Sequence, residues 1–584
     1  MRVLGIGDGF GSGSALVEDG RLHFAVSEER LSRIKNHSGY YHGFPHRSIR
    51  AALETTGWTP DSIDRIALSN FAFPPLPLRL LALNRSRPLG EKEFLDRHEF
   101  SRTLNSRLYS LFSERRSGSA VAAGSVAVYG AALRRKLRHD FGLEAPVAFV
   151  DHHRCHAASA YFTQPEDDAV VFTLDCHGDG LSGSVSRASR GVLERVATFP
   201  AATSLGSFYA AITQHLGFQH HRHEGKITGL AAYGDASVAE ADLRRMISYD
   251  ADTRQLQTSL GRNQFVSIER IGGLLSREYS REDLAAAAQA QLERIVLQIV
   301  RQTLAETRRR KVLLAGGIFG NVKLNQRIND LPEVDYLFVH PGMGDEGLPV
   351  GAALASSAEA GRYRLERLPN AFLGPGFGDA DAEKALAATD FAVERVPDMA
   401  RRVAGLLARK KIVARCVGRV EYGPRALGHR SILFHAGDPS ANDWLNRKLR
   451  RSEFMPFAPA TLAERAPEFY RNLASAELAA EFMTVCFDCE PDFRASCPAV
   501  VHVDGTARPQ LVREQSQPDF FQILTEYEAL TGLPTLVNTS FNIHEEPIVF
   551  SPEDAVRAFA TADLDFLALG NHLVSRRAAG RGDT

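Results

Sequence analysis

The sequence predicts an α/β protein built in two parts, and three observations point there. A strand–turn–strand hairpin with a turn rich in aspartate and glycine occurs near residues 1–30 and again from residue 168. Short apolar strands alternate with helical stretches as far as roughly residue 360. A stretch rich in proline and glycine, residues 364–380, then breaks the pattern before strands and helices restart. At 584 residues the chain is also too long for a single hydrophobic core.

The first hairpin runs from Arg2 to Ile6, turns through Gly7-Asp8-Gly9-Phe10-Gly11-Ser12-Gly13-Ser14, and returns through Ala15–Val17 and Leu22–Val26. Glycines in such a turn let backbone N–H groups approach a phosphate, and Asp8 could hold a metal–phosphate complex. The second copy is the strand Ala169–Leu174 followed by Asp175-Cys176-His177-Gly178-Asp179-Gly180. An internal repeat outweighs either copy alone. Two such hairpins in two halves of a domain resemble the actin/Hsp70/sugar-kinase superfamily, where paired loops face each other across nucleotide phosphates.

Between the two copies, Val150-Asp151-His152-His153-Arg154-Cys155-His156 follows the apolar strand 146–150 and opens into small, helix-compatible residues. His152 and His156 are four apart, so a helix puts both imidazoles on one face. Two neutral imidazoles converging on one point are a common half of a transition-metal site. Asp345, in Gly344-Asp345-Glu346-Gly347 after the strand Tyr336–Val339, could complete it. Residues 311–325 read as a strand, a glycine pair and a helix start, a geometry that cradles nucleotide phosphates. Residues 281–310 read as a long amphipathic helix, and residues 73–118 as an irregular, partly helical insertion. Lys226, close to glycines, is a candidate point charge for phosphate.

The totals exclude several classes. A formal net charge of −1 provides no attraction to nucleic acid or to an anionic membrane. No apolar run reaches the roughly 18–20 residues that span a bilayer. Met1–Gly7 reads as a strand running into glycines rather than a signal peptide, so a cytoplasmic protein is expected. Six cysteines are too sparse for a disulfide scaffold. Cys486 and Cys489 read as structural residues on a buried strand, Phe482–Phe487, because no second CxxC accompanies them. In the second part, arginines gather beside glycines and prolines in Gly418–Ile432, and again at Arg447, Arg450, Arg451 and Arg508. Arginine's planar fork suits bidentate binding of phosphate.

Taken together, the segments EERLSRIK, DHHRCHAASAY, EGKITGLAAYG, AGGIFGNVKLN, GDEG, GRVEYGPRALGHRSIL, EFMPFAPATL, HVDGTARPQ and NTSFN resemble the ATP-dependent O-carbamoyltransferases of antibiotic and nodulation-factor biosynthesis. The resemblance covers nearly the whole chain. It implies an actin/Hsp70-like, duplicated ribonuclease-H-type domain over residues 1–365, which transfers the carbamoyl group. It implies a second α/β domain over residues 366–584, similar to the threonylcarbamoyl-adenylate synthase fold, which makes carbamoyl adenylate from carbamoyl phosphate and ATP. The acceptor would be a hydroxyl of a small natural product. The metal would be divalent, commonly iron(II), with Mg2+ accompanying ATP, and a homodimer would be in keeping.

The resemblance also carries roles. His152, His156 and Asp345 match metal ligands. Lys35 and Lys226 match basic positions near the nucleotide. Gly316, Gly317 and Asn321 match the nucleotide loop, and Asp175, Gly178 and Asp179 the second phosphate loop. Arg425, Arg451, Arg508, Ser540 and Asn542 match contacts to carbamoyl phosphate and ATP. One departure stands out: Phe10 occupies the place of a histidine that is a candidate base on the acceptor hydroxyl. Phenylalanine cannot move a proton. His37, His153 or His177 does that work, or the acceptor differs, or transfer is lost. His153, freed from metal ligation, is expected to face the substrate. The competing readings are a small-molecule kinase of the actin superfamily and a nucleotide- and metal-binding homologue without transfer activity.

Overall fold

A computed structural model describes residues 1–71, 76–85, 120–261, 264–448, 457–543 and 545–576. The chain packs as two units: Met1–Ser32 with Asn36–Leu368, and Arg33–Lys35 with Pro369–Thr584. Both are mixed α/β. Most of the insertion expected at 73–118 lies outside the described residues; the described part includes the helix Leu76–Leu83.

The first unit holds two five-stranded sheets. β1 (Arg2–Gly7), β2 (Gly13–Glu18), β3 (Arg21–Ser27), β4 (Arg65–Ser69) and β5 (Val147–Val150) run in the order β3-β2-β1-β4-β5. The three hairpin strands are antiparallel, and β4 and β5 join β1 in parallel. The second sheet comprises β6 (Ala169–Gly178), β7 (Leu181–Ser189), β8 (Val192–Pro200), β11 (Lys311–Ala315) and β12 (Tyr336–Val339), with β9 (Ile247–Asp250) and β10 (Gln255–Thr258) forming a separate ladder. Its order, β8-β7-β6-β11-β12, repeats the first sheet in both sequence and sense.

Buried parallel strands need apolar residues on both faces. β1 supplies Val3, Leu4 and Ile6, all fully buried, and β4 supplies Ile66 and Leu68. The helix Leu348–Glu359 is made largely of small residues, which lets it approach its neighbours closely. A Cβ at Gly351 would sit 1.8 Å from the Cys155 carbonyl oxygen, so only glycine allows that contact with the helix His152–Tyr161. The long helix spans Arg281–Thr307, and the Ser280 side chain accepts the Asp283 N–H at its start.

The second unit is an eight-stranded sheet. Its strands are β13 (Ala392–Arg395), β14 (Val413–Cys416), β15 (Arg430–His435), β16 (Ala458–Leu462), β19 (Gln510–Val512), β20 (Thr535–Ser540), β21 (Phe566–Leu569) and β22 (His572–Ser575), in the order β13-β22-β21-β14-β15-β20-β16-β19. β17 (Phe487–Asp488) and β18 (Thr506–Ala507) pair apart from it. Val403 and Leu407 of one helix and Phe520, Leu524 and Tyr527 of another meet Leu433, Leu462 and Leu536 of the sheet in one core. The buried strand expected at Phe482–Phe487 is not formed: a turn follows the helix Glu477–Ala480, and Met483 has φ +58°, which no strand accommodates.

Among the described residues no helix is long and apolar enough to cross a membrane.

Candidate active site

The site in the first unit begins with the helix His152–Tyr161. Asp151 caps it, its carboxylate accepting the Arg154 N–H at 2.9 Å and pairing with Arg195. The spacing of four brings the His152 and His156 rings to 4.8 Å between centroids. The end of β6 adds Asp175, and the short turn of helix Asp345–Gly347 beyond β12 adds Asp345.

One donor atom from each of His152, His156, Asp175 and Asp345 lies within 4.8 Å of the others. His156 Nε2 is 3.1 Å from Asp175 Oδ2 and 3.5 Å from Asp345 Oδ1. His152 Nε2 is 3.7 Å and 3.6 Å from the same two oxygens. His152 Nε2 and Asp345 Oδ1 are buried and make no hydrogen bond, an expensive arrangement unless something else binds them. Two imidazole nitrogens and two carboxylate oxygens suit a divalent first-row transition ion and balance its charge. The residues therefore fit a metal.

The electrostatics follow from this crowding. Burial raises both carboxyls. Asp175, hydrogen-bonded to His156 and facing His152, nevertheless ends well below the usual carboxylate range, whereas Asp345, facing the Asp175 charge, ends above it. Burial lowers the His156 imidazole, but the hydrogen bond to Asp175 and the nearby carboxyls of Asp175 and Asp345 outweigh it and lift the group to about 9.

The expected second phosphate loop takes a different role. Asp175 joins the donor cluster. Asp179 is 2% exposed, and its carboxylate accepts the N–H groups of Phe71, at 2.9 and 3.0 Å, and of His152, at 3.1 Å. It thus clamps the start of the histidine helix. A Cβ on Gly178 would fall 2.1 Å from His152 Cγ, so Gly178 makes room for that imidazole. Asp8 is neutralised by the buried Arg79, at 2.9 Å, and accepts the Tyr129 hydroxyl at 2.6 Å, so its carboxylate is not offered to a metal–phosphate complex.

His153 does not face a substrate. It has no exposed surface, and its two ring nitrogens meet Thr173 Oγ1 at 3.0 Å and the Leu181 carbonyl at 3.2 Å. Helical rotation sets it about 100° from His152, on a face packed against the sheet. His37 is also buried, with Nδ1 2.7 Å from Ser12 Oγ. His177, half-buried, lies two residues beyond Asp175 at the end of β6. Phe10 stacks on His221, with ring centroids 5.8 Å apart, and meets the edges of Tyr40 and Tyr41.

In the expected nucleotide loop, the Gly316 N–H donates to the Met343 carbonyl at 2.6 Å and is not offered to a phosphate. Gly317 adjoins Asp175, since a Cβ there would lie 3.1 Å from Asp175 Oδ1. Asn321 caps the helix Val322–Asn329 and donates to Gln289 at 2.7 Å. Lys226 is half-buried on the helix Glu224–Leu230, its ammonium 5.7 Å from the Phe218 ring centre.

In the second unit Arg425 and Arg508 are half-buried. Burial lowers the Arg508 guanidinium, against an opposing effect of the Cys486 thiol. Ser540, at the end of β20, donates to Asn542 Oδ1 at 2.7 Å, and Asn542 donates to the carbonyls of Ile543 and Glu546. Lys35, half-buried, packs with this unit, as does Arg33, which donates to the carbonyls of Pro547 and Ile548. Arg451 lies outside the described residues.

Sequence reasoning missed Asn70, whose Oδ1 lies 2.7 Å from His152 Nδ1. No periodicity or motif marks it.

Residues 2–354 match the family model for the carbamoyltransferase N-terminus, and residues 404–576 that for the carbamoyltransferase C-terminus. Nodulation protein NolNO of Sinorhizobium fredii is 33% identical over 98% of this chain and 79% of its own length. Nodulation protein NolO of Bradyrhizobium diazoefficiens is 35% identical over 74% of this chain and 80% of its own. An uncharacterized protein of Methanocaldococcus jannaschii, MJ1051, is 30% identical over 98% of this chain and 99% of its own. With both family domains present in order, the chain belongs to the carbamoyltransferase family.

Proposed function

We propose that this carbamoyltransferase works through carbamoyl adenylate and delivers the carbamoyl group to a hydroxyl of a small-molecule acceptor. The observation that carries the reading is the pairing of a four-donor cluster, its two histidines buried, in one family domain with the half-buried Arg425 and Arg508 in the other. The repeated sheet order of the first unit supports an actin/Hsp70-like duplication there. For the second unit we keep the likeness to the threonylcarbamoyl-adenylate synthase fold as the working assignment.

The second unit would activate. Carbamoyl phosphate loses inorganic phosphate to water, and an oxygen of the resulting carbamate attacks the α-phosphorus of ATP. Pyrophosphate leaves, and Mg2+ accompanies the nucleotide. Arg425 and Arg508 neutralise phosphate charge as it develops, and a partly desolvated guanidinium such as Arg508 does so more strongly than one in water. Lys35, Arg451, Ser540 and Asn542 complete the contacts.

The first unit would transfer. His152, His156, Asp175 and Asp345 would hold a divalent ion, iron(II) in our reading, which supplies Lewis-acid polarisation of a carbonyl or phosphoryl oxygen. The acceptor oxygen bonds to the carbamoyl carbon, AMP departs with the bonding pair, and the hydroxyl proton passes to a histidine. Of the three candidates, His177 is half-buried, whereas His153 and His37 are buried, and we assign it this role.

The test is an incubation with ATP, carbamoyl phosphate, Fe(II), Mg2+ and a panel of hydroxylated metabolites, reading nucleotide and product mass together. AMP, pyrophosphate and one carbamoylated product are expected. ADP and a phosphorylated product would instead establish the kinase reading.

A further inference from the structure

Asn70 follows the last residue of β4 and is 2% exposed. Its φ of +74° is in the left-handed region, which asparagine tolerates better than most residues. That turn of the backbone is held at several points. The Asn70 N–H donates to the Val150 carbonyl at 2.9 Å, at the end of the neighbouring strand. The next N–H, of Phe71, donates to Asp179, which also accepts the N–H of His152. The result sets Asn70 Oδ1 against His152 Nδ1 at 2.7 Å.

An amide oxygen only accepts, so the bond requires the proton on Nδ1. The lone pair of a neutral His152 then lies on Nε2, the buried atom that faces Asp175 and Asp345 and has no hydrogen-bond partner. The ring also packs closely on Gly178, where a Cβ would lie 2.1 Å from His152 Cγ and 2.4 Å from Nδ1. From this we infer that Asn70 is a positioning residue of the donor cluster: it sets the tautomer and the plane of His152, so that Nε2 meets an incoming divalent ion without rearrangement. Partners of this kind raise ligand basicity and remove the entropy of orienting the ring. The inference rests on the metal reading of the four-donor cluster.

Cobalt(II) alone, without nucleotide or acceptor, is the probe, read by its visible absorption and by competition with a chelator. Asn70→Gly keeps the left-handed backbone accessible while removing the oxygen. Affinity is expected to fall about 10- to 100-fold, with an altered cobalt spectrum. Asn70→Asp also tolerates the backbone and keeps an acceptor oxygen, so affinity within about threefold of the native protein, or tighter, is expected. Gly and Asp variants that are equally weak would overturn the role, as would a Gly variant with native affinity and spectrum. If the Gly variant does not fold, the Asp variant decides alone: a loss beyond about tenfold in a folded Asp variant overturns the inference. Failure of the unsubstituted protein to bind cobalt(II) would instead remove the metal reading itself.

Discussion

In the first unit, His152 Nε2 and Asp345 Oδ1 are buried with no hydrogen-bond partner. In the second, Arg430, with no exposed surface, donates to the carbonyls of Val417, Gly418, His429 and Phe550. Arg419 donates to Leu373 and Gly374, and Arg415 to Gly428. Both regions are dense in polar side chains, but the arginines of Gly418–Ile432 are largely engaged in holding loop backbone, whereas the histidine cluster presents unengaged atoms. A run of charged residues is therefore not itself a binding site. What distinguishes a site is polar capacity that the fold leaves unsatisfied.

The largest expected effect tests the cluster directly. Asp345→Ala should lower carbamoyl transfer roughly a thousandfold, since a Lewis-acid centre contributes several kcal/mol. Pyrophosphate release dependent on carbamoyl phosphate should stay within about threefold if, as proposed, activation uses the other unit. Equal loss of both activities would break the proposed division of labour.

The second test sets two arginines of the second unit against each other. Arg430→Met removes the buried donor shared by four partly buried carbonyls and should cost about 3 kcal/mol in urea unfolding, with cobalt(II) affinity unchanged. Arg508→Ala should leave unfolding nearly unchanged and slow pyrophosphate release about a hundredfold. Stability loss at Arg508 with normal activation would place it with the structural arginines.

The same contrast explains what could be read in advance. Hairpins, their repetition and the HxxxH pair are local patterns, and local patterns survive in a sequence. Asp345 could be proposed because it follows a strand, as the histidines do. Asp175-Cys176-His177-Gly178-Asp179-Gly180 was misleading because its glycine and second aspartate serve His152, more than 20 residues away in the chain, rather than a phosphate. His153 has the same residue type as its neighbours, and only the folded structure shows that both its ring nitrogens are taken up by Thr173 and the Leu181 carbonyl. Asn70 belongs to no pattern at all, since its role depends on a left-handed backbone and on a partner 82 positions away. Which arginines hold carbonyls is likewise a tertiary fact.

The smallest effect concerns an acid that is fully engaged, the converse of Asp345 within the same unit. Glu28 is 3% exposed and accepts the N–H groups of Arg47 and Ser48, at 3.1 and 2.7 Å, at the start of the helix His46–Thr56. Burial raises its carboxyl to about 7 from an ordinary 4.5, even though those bonds pull it down. The folded chain thus holds this proton more tightly than the unfolded chain. Its contribution to stability is full below pH 4.5, falls as pH rises toward 7, and is level above that. The shift caps the change at about 3 kcal/mol. Glu28→Gln cannot ionise, so it should flatten that segment of the stability–pH curve. It also supplies one acceptor oxygen for two N–H donors, which leaves a net gain of about 1 kcal/mol at pH 8. Urea unfolding of both proteins at pH 5 and pH 8 measures the difference. Parallel curves across that interval would mean that the carboxyl titrates in its ordinary range and that the two backbone bonds, rather than burial, dominate its environment.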